Sequence, residues 1–460
     1  MQRLSGLDAS FLYLETPAQL LHVCALMTLD VSTTPGGYDF GKFKENLAAR
    51  VAVIPEFRRK LHNPLWNLSH PVWVEDEDFD LDRHVYRIAA PAPGGRRELA
   101  EVCAHIAGQP LDRSHPLWEM AVIEGLGDDS TAVLLKMHHA SVDGVSGASL
   151  ITHLAGVEPE SALPEPGPRN GSVPSRATLL RNNLVAAAKL PFEAARLLPE
   201  LAGMAPKWVG KALKGKAMPV PFTAPRTSLN GTITGHRSVA FTTVGLDDLK
   251  RVKNAFGVTV NDVVLAMCAG ALRKFLLDRG ELPDTPLVAT VPVSVHGRSE
   301  REEGSNKVSA FFTSLPTHLA EPAARVFMLS ENNRLSKDHH LSIDADMLQD
   351  WAQFSAATMF GLAVRAYSAL RLAEKHPVVQ NLVISNVPGP PMPLYLLGAR
   401  IVGMYPLGPV FHGAGLNVTV LSNAGQVHIG LLGARDLVPD LWSLADAMPE
   451  ALAELVAAAP

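Results

Sequence analysis

The chain has 460 residues, 47% hydrophobic and 19% charged, with a formal net charge of -5. That length supports a large core and favours two domains, while the acidic balance and the lack of any helix-turn-helix or zinc-module pattern argue against nucleic-acid binding. Cys24, Cys103 and Cys268 are scattered and odd in number, no signal-peptide pattern opens the chain, and no apolar run approaches the ~20 residues of a membrane span. A cytoplasmic protein without a disulfide framework is expected, with any membrane contact peripheral.

Periodicity predicts a strand over 20–29 and an amphipathic helix over 43–53 that ends before Pro55. A second helix over 98–108 is followed by the breaker Pro110-Leu111-Asp112. Segments 118–125 and 131–139 form a hairpin, which sets Pro116, Leu117 and Trp118 one strand away from its second arm. In that arm Val133, Leu135, Met137 and His139 share one parity, and Ala132, Leu134, Lys136 and His138 the other. Both sets are mostly apolar, so the strand should be covered on two faces and its two histidines directed to opposite sides. After Asp143-Gly144 the pattern changes to that of a closely packed helix.

From Glu158 a Pro/Gly-rich loop begins, and segment 177–216 follows as helical pieces with an excess of Lys and Arg over Glu. Its interleaved Leu, Val and Trp residues suit either an amphipathic surface for lipid or a linker packed on the protein itself. The second half carries strands over 238–244, 287–295, 308–315, 379–387, 415–422 and 426–432, with helices over 246–256 and 260–279. The expected division is a lobe over 1–157, a linker over 158–225 and a second lobe over 226–460, an α/β architecture in both halves.

Chemistry concentrates in His138-His139-Ala140-Ser141-Val142-Asp143-Gly144. A neutral imidazole can take a proton from an alcohol. A histidine on an apolar strand is, alone, ordinarily a hydrogen-bonded core residue, and Asp143 has the plain alternative of capping the next helix. Trp118 has the alternative of a core aromatic. A metal site gains no support, because adjacent strand residues diverge and no further ligand spacing accompanies them.

The spacing His138-His139-x-x-x-Asp143-Gly144 resembles the signature of CoA-dependent acyltransferases. Segment 4–15, Pro116-Leu117-Trp118-Glu119, Asn261-Asp262 with the Val-Val-Leu-Ala that follows, and Ser385-Asn386-Val387-Pro388-Gly389-Pro390 narrow it. Together these blocks resemble the bacterial wax ester synthase/diacylglycerol acyltransferase family over nearly the whole chain. The resemblance implies two chloramphenicol-acetyltransferase-like lobes with an active-site tunnel at their interface. It implies transfer of a long-chain acyl group from acyl-CoA, as co-substrate, to diacylglycerol or a fatty alcohol, giving triacylglycerol or wax esters. No bound cofactor and no metal are expected, and contact with a membrane or lipid inclusion would be peripheral. By resemblance His139 is the general base and no acyl-enzyme forms. His138 supports the turn, Asp143 pairs with an arginine for which Arg298 is the candidate, and Gly144 permits close packing. Asn261, Asp262, Ser385 and Asn386 are site-supporting candidates, although Asn261 also suits a helix N-cap and Ser385-Asn386 a turn. Transfer to another alcohol or amine, or a noncatalytic lipid-surface role, are the alternatives.

Overall fold

The histidine-bearing strand β7 (Thr131–His138) lies inside a seven-stranded sheet and is buried along its whole length. It belongs to a computed structural model that describes residues 2–63, 70–127, 130–142, 151, 153–160, 222–294, 308–340 and 357–460. Asp143, Gly144, Arg298 and the basic segment 176–216 lie outside the described residues.

β7 pairs antiparallel with β6 (Trp118–Glu124) on one side and β2 (His22–Asp30) on the other. Beyond β6 the sheet ends in β5 (Val85–Ala89), and beyond β2 it continues through β14 (Ala399–Leu407), β13 (Tyr395–Leu396) and β8 (Ala155–Gly156). The parity read from sequence holds for residues 132–137, while the strand ends one residue short of His139. Val133, Leu135 and Met137 enter a core shared with helix α2 (Phe40–Val51), whereas Ala132 and Leu134 enter another shared with α3 (Arg96–Ala107). α2 starts three residues earlier than its apolar pattern suggested, because Asp39 caps it by accepting the Lys42 N–H at 2.9 Å. A small three-stranded sheet, β1 (Gln2–Arg3), β4 (Val72–Glu75) and β3 (Arg59–His62), stands beside this lobe.

The second half builds a six-stranded sheet in the order β11 (Val308–Leu315), β10 (Leu287–Ser294), β12 (Leu382–Pro388), β15 (Leu416–Asn423), β16 (Gln426–Ala434) and β9 (Arg237–Gly245). Helix α4 (Leu246–Phe256) ends at Gly257, whose φ of 67° suits a residue without Cβ. Helix α5 (Val260–Leu277) then packs into the sheet's core, with a capping box formed by Thr259 and Asp262. Helices α6 (Pro322–His340), α7 (Ala357–Ala369) and α8 (Trp442–Ala457) complete this half. Among the described residues no single helix is long and apolar enough to cross a membrane; α4 and α5 meet at a bend of 104° and α5 is core.

The two sheets are not separated along the chain. β13 and β14 come from the second half yet complete the first sheet, with β14 pairing to β2 from Arg400↔Asp30 to Leu407↔Cys24. The loop between α1 (Gly6–Leu14) and β2 is held by the second half as well: Arg237 donates to the Ala18 carbonyl at 2.6 Å and the His412 N–H donates to Gln19 Oε1 at 2.8 Å.

Candidate active site

β7 stops at His138, and His139–Ser141 form one short 3-10 turn. The backbone is fixed from both sides there: His138 N–H donates to the Leu117 carbonyl at 3.0 Å and His139 N–H to the Leu21 carbonyl at 2.9 Å. Strand alternation therefore governs His138 but ends before His139. The two rings meet residues four apart on α1 and its C-terminal cap, Glu15 and Phe11.

His138 is buried, and its Nδ1 accepts the Ala140 N–H at 3.1 Å. An acceptor at Nδ1 places the proton of the neutral ring on Nε2, which then donates to Glu15 Oε2 at 3.3 Å. Glu15 also receives the Arg113 guanidinium, and His22 Nε2 lies 3.2 Å from its Oε1, off the line of a good hydrogen bond. Burial by itself would raise the Glu15 carboxyl. The hydrogen bond from His138, the nearby His22 ring and the charge of Arg113 outweigh it and hold the group well below the usual carboxylate range. Burial lowers both imidazoles, His22 to about 4, so both rings are neutral near pH 7. Glu15, His22 and His138 bring three metal-ligating atoms within 4.8 Å of one another. The guanidinium on Glu15 and the protonated Nε2 of His138 fit that trio to hydrogen bonding rather than to a cation.

His139 stacks on Phe11 with ring centroids 4.0 Å apart and planes 23° from parallel. The side chain is half-buried, and Nδ1 has no aligned hydrogen-bond partner among the described residues. Burial, reinforced by neighbouring His138 and weakly opposed by the residue's own backbone, lowers the imidazole to about 4. The ring is thus neutral near pH 7 and stacked at a defined tilt. The cysteines are not alternative nucleophiles: all three are buried and unpaired, and burial pushes Cys24 and Cys268 up to about 12.

Of the other residues singled out, Pro116 and Leu117 are buried beside the turn, and Leu117 joins a cluster with Leu4, Ala9, Leu12 and Ala140. Trp118 is core: it faces Met137 across the hairpin, donates from its indole to the Phe57 carbonyl at 2.8 Å and stacks on His84. Asp262 accepts from Thr259 N–H at 2.9 Å and from Asn333 at 2.6 Å, a helix-capping and core role. The N-cap of α5 is Thr259 rather than Asn261, because Asp262 three residues on closes the box. Ser385 and Asn386 lie within β12, parallel to Thr419 and Val420, rather than in a turn. Asn386 donates to Asn261 at 3.4 Å, and among the described residues no hydrogen bond joins either to His139.

Sequence reasoning passed over Glu15, His22, Arg113 and Phe11 as site residues. Glu15 and Phe11 stood inside a quoted block, and their four-residue spacing was readable. That His22 would face His138 was not, since it depends on strand register.

Residues 4–264 match the profile described as the wax ester synthase/diacylglycerol acyltransferase catalytic domain, and residues 304–456 match that of the WS/DGAT C-terminal domain. A Mycobacterium tuberculosis protein named as a putative diacylglycerol O-acyltransferase is 49% identical over 99% of this chain and 90% of its own. Another from the same species, named as a probable diacylglycerol O-acyltransferase, is 37% identical over 97% of both chains. The wax ester synthase/diacylglycerol acyltransferase from Marinobacter aquaeolei VT8 superposes with a TM-score of 0.69 at 31% identity, covering 99% of this chain and 98% of that one. The first condensation domain of the CDA synthetase shares the fold, with a TM-score of 0.54 at 15% identity over 99% and 96%.

Proposed function

Because this chain belongs to the wax ester synthase/diacylglycerol acyltransferase family and is therefore an acyltransferase, we propose that it carries a long-chain fatty acyl group from acyl-CoA to diacylglycerol, with His139 as general base. Fatty alcohols are the second acceptor class. The observation that supports this is the neutral, half-buried His139 ring, fixed by Phe11 at the end of a fully buried strand.

In this reading the acceptor hydroxyl oxygen attacks the thioester carbonyl carbon while His139 takes its proton. The tetrahedral intermediate collapses with cleavage of the C–S bond, and the imidazolium returns the proton to the departing CoA sulfur. An imidazole lowered by burial is unprotonated at the start of the reaction, free to take the proton, and gives it up readily once the leaving sulfur bears charge. The alcohol is itself the nucleophile, so the buried cysteines have no step to perform. Tilt of the ring is set through Phe11, and the backbone at the turn through Leu21 and Leu117.

Purified protein given palmitoyl-CoA with dioleoylglycerol or hexadecanol should release thiol and form the corresponding ester, read by lipid chromatography. His139→Ala should lower that rate by ~100-fold or more with an unchanged circular dichroism spectrum. Near wild-type turnover in this variant would remove His139 from the mechanism.

A further inference from the structure

α2 presents Lys42, Asn46 and Arg50 at successive four-residue steps, so the three side chains lie along one stripe of the helix. That stripe lines a partly open cavity of about 210 Å³, together with Leu29, Thr34, Tyr38, Leu397 and Ala399. The cavity lies far from the histidines. Leu29 and His22 are seven residues apart along β2, which at ~3.3 Å per residue is about 23 Å, and His22 is the end that pairs with His138.

Arg50 is the innermost cation of that stripe. It is only 8% exposed, its Nε is buried without a hydrogen-bond partner, and no ion pair to it is found among the described residues. Burial lowers its pKa with no anionic group acting in the other direction. A guanidinium N–H buried without a partner is costly to the fold unless something answers it. Thr34 Oγ1, on the same cavity, is likewise buried without a partner. Two carboxylates line the space but do not neutralise Arg50: Asp39 is exposed and caps α2, and Glu160 is exposed.

We propose that this cavity is a second ligand site, separate from the acyl-transfer centre, that binds a phosphate monoester through Arg50, Lys42 and Asn46. A guanidinium fork, an ammonium and an amide supply several donors for the terminal oxygens of one phosphate. The partly exposed Tyr38, Tyr395 and Leu397 offer apolar surface to the carbon skeleton attached to it. The volume is below the ~300 Å³ at which drug-sized pockets begin, so the ligand is a small ester or the headgroup of a phosphate-bearing lipid.

The test uses the full chain and needs no activity assay. Phenyl phosphate is titrated calorimetrically at constant ionic strength, and in parallel the protein is floated with phosphatidylcholine vesicles with and without phosphatidic acid. Saturable binding of phenyl phosphate is expected, weakened by about 10- to 100-fold in Arg50→Met. Lys42→Gln, an exposed change that leaves the core untouched, should weaken it by a smaller factor. Arg50→Met should also unfold at an equal or higher temperature than wild type when phosphate is absent. Recruitment by phosphatidic acid that Arg50→Met abolishes would identify a lipid headgroup as the source, and phenyl phosphate binding without recruitment would identify a soluble ester. The proposal fails if wild type shows neither behaviour, or if both variants bind as wild type does.

Discussion

Glu15 does for the histidine turn what no local sequence pattern announces. One carboxylate takes the Nε2–H of His138, stands beside His22 and holds Arg113. His138 in turn receives the Ala140 N–H within the turn that carries His139. Glu15→Gln keeps the shape of the side chain but removes its charge and half of its acceptor capacity. It should destabilise the fold by about 1–3 kcal/mol and lower kcat more than it raises KM, because the turn is disturbed while the substrate contacts are not. A variant with wild-type kcat and unfolding midpoint would leave Glu15 without a positioning role. His139 itself was singled out through the resemblance that its motif carries. Its stacking partner was not, because Phe11 reaches it only through the docking of α1.

At the scale of elements, the hairpin of β6 and β7 and the two-sided burial of β7 followed from alternation over a handful of neighbouring residues. β14 did not. Gly403 and Pro406 interrupt its pattern, its register shifts between Ile401 and Gly403, and its partner β2 lies more than half the chain away. The close approach of the two sheets is a further property of pairs of elements. A Cβ placed on Gly430 of β16 would overlap the Pro406 carbonyl oxygen of β14, so glycine is what lets these strands of different sheets touch. Gly430→Ala should cost about 1–3 kcal/mol, by the logic of overpacking a filled interior. Its denaturant midpoint should fall accordingly, and an unchanged midpoint would mean that the sheets part at little cost.

For the whole molecule, burial of imidazoles couples stability to pH. His22, His139 and His428 are lowered from 6.5 to about 4, and His84, His138 and His412 are lowered as well. Below pH 6.5 the unfolded chain takes up protons that the folded chain refuses, so stability declines as pH falls. For His22, His139 and His428 the decline ends at about 4, where the folded imidazoles protonate too. Each excess proton contributes a slope of about 1.4 kcal/mol per pH unit. Glu15 carries the loss further down, since its carboxylate form is favoured only in the fold. Unfolding free energies measured in denaturant at fixed salt should therefore drop steadily from pH 6.5 towards 4; a flat profile there would show that the histidines are not sealed as described.

The amino-acid sequence alone determined what depends on near neighbours: the buried strand with its two apolar parities, the hairpin beside it, the core helix of the second half and the motif that carries His139. Alternation and capping are local, and a few residues suffice to write them. Only the tertiary structure decided that Glu15 and His22 gather at His138, that Phe11 sets the tilt of His139, that β14 returns to complete the first sheet, and that Arg50 has no ion-pair partner among the described residues beside its cavity. Each of these depends on strand register or helix docking between segments distant in the chain, and such long-range pairings are fixed by the packing of the entire core.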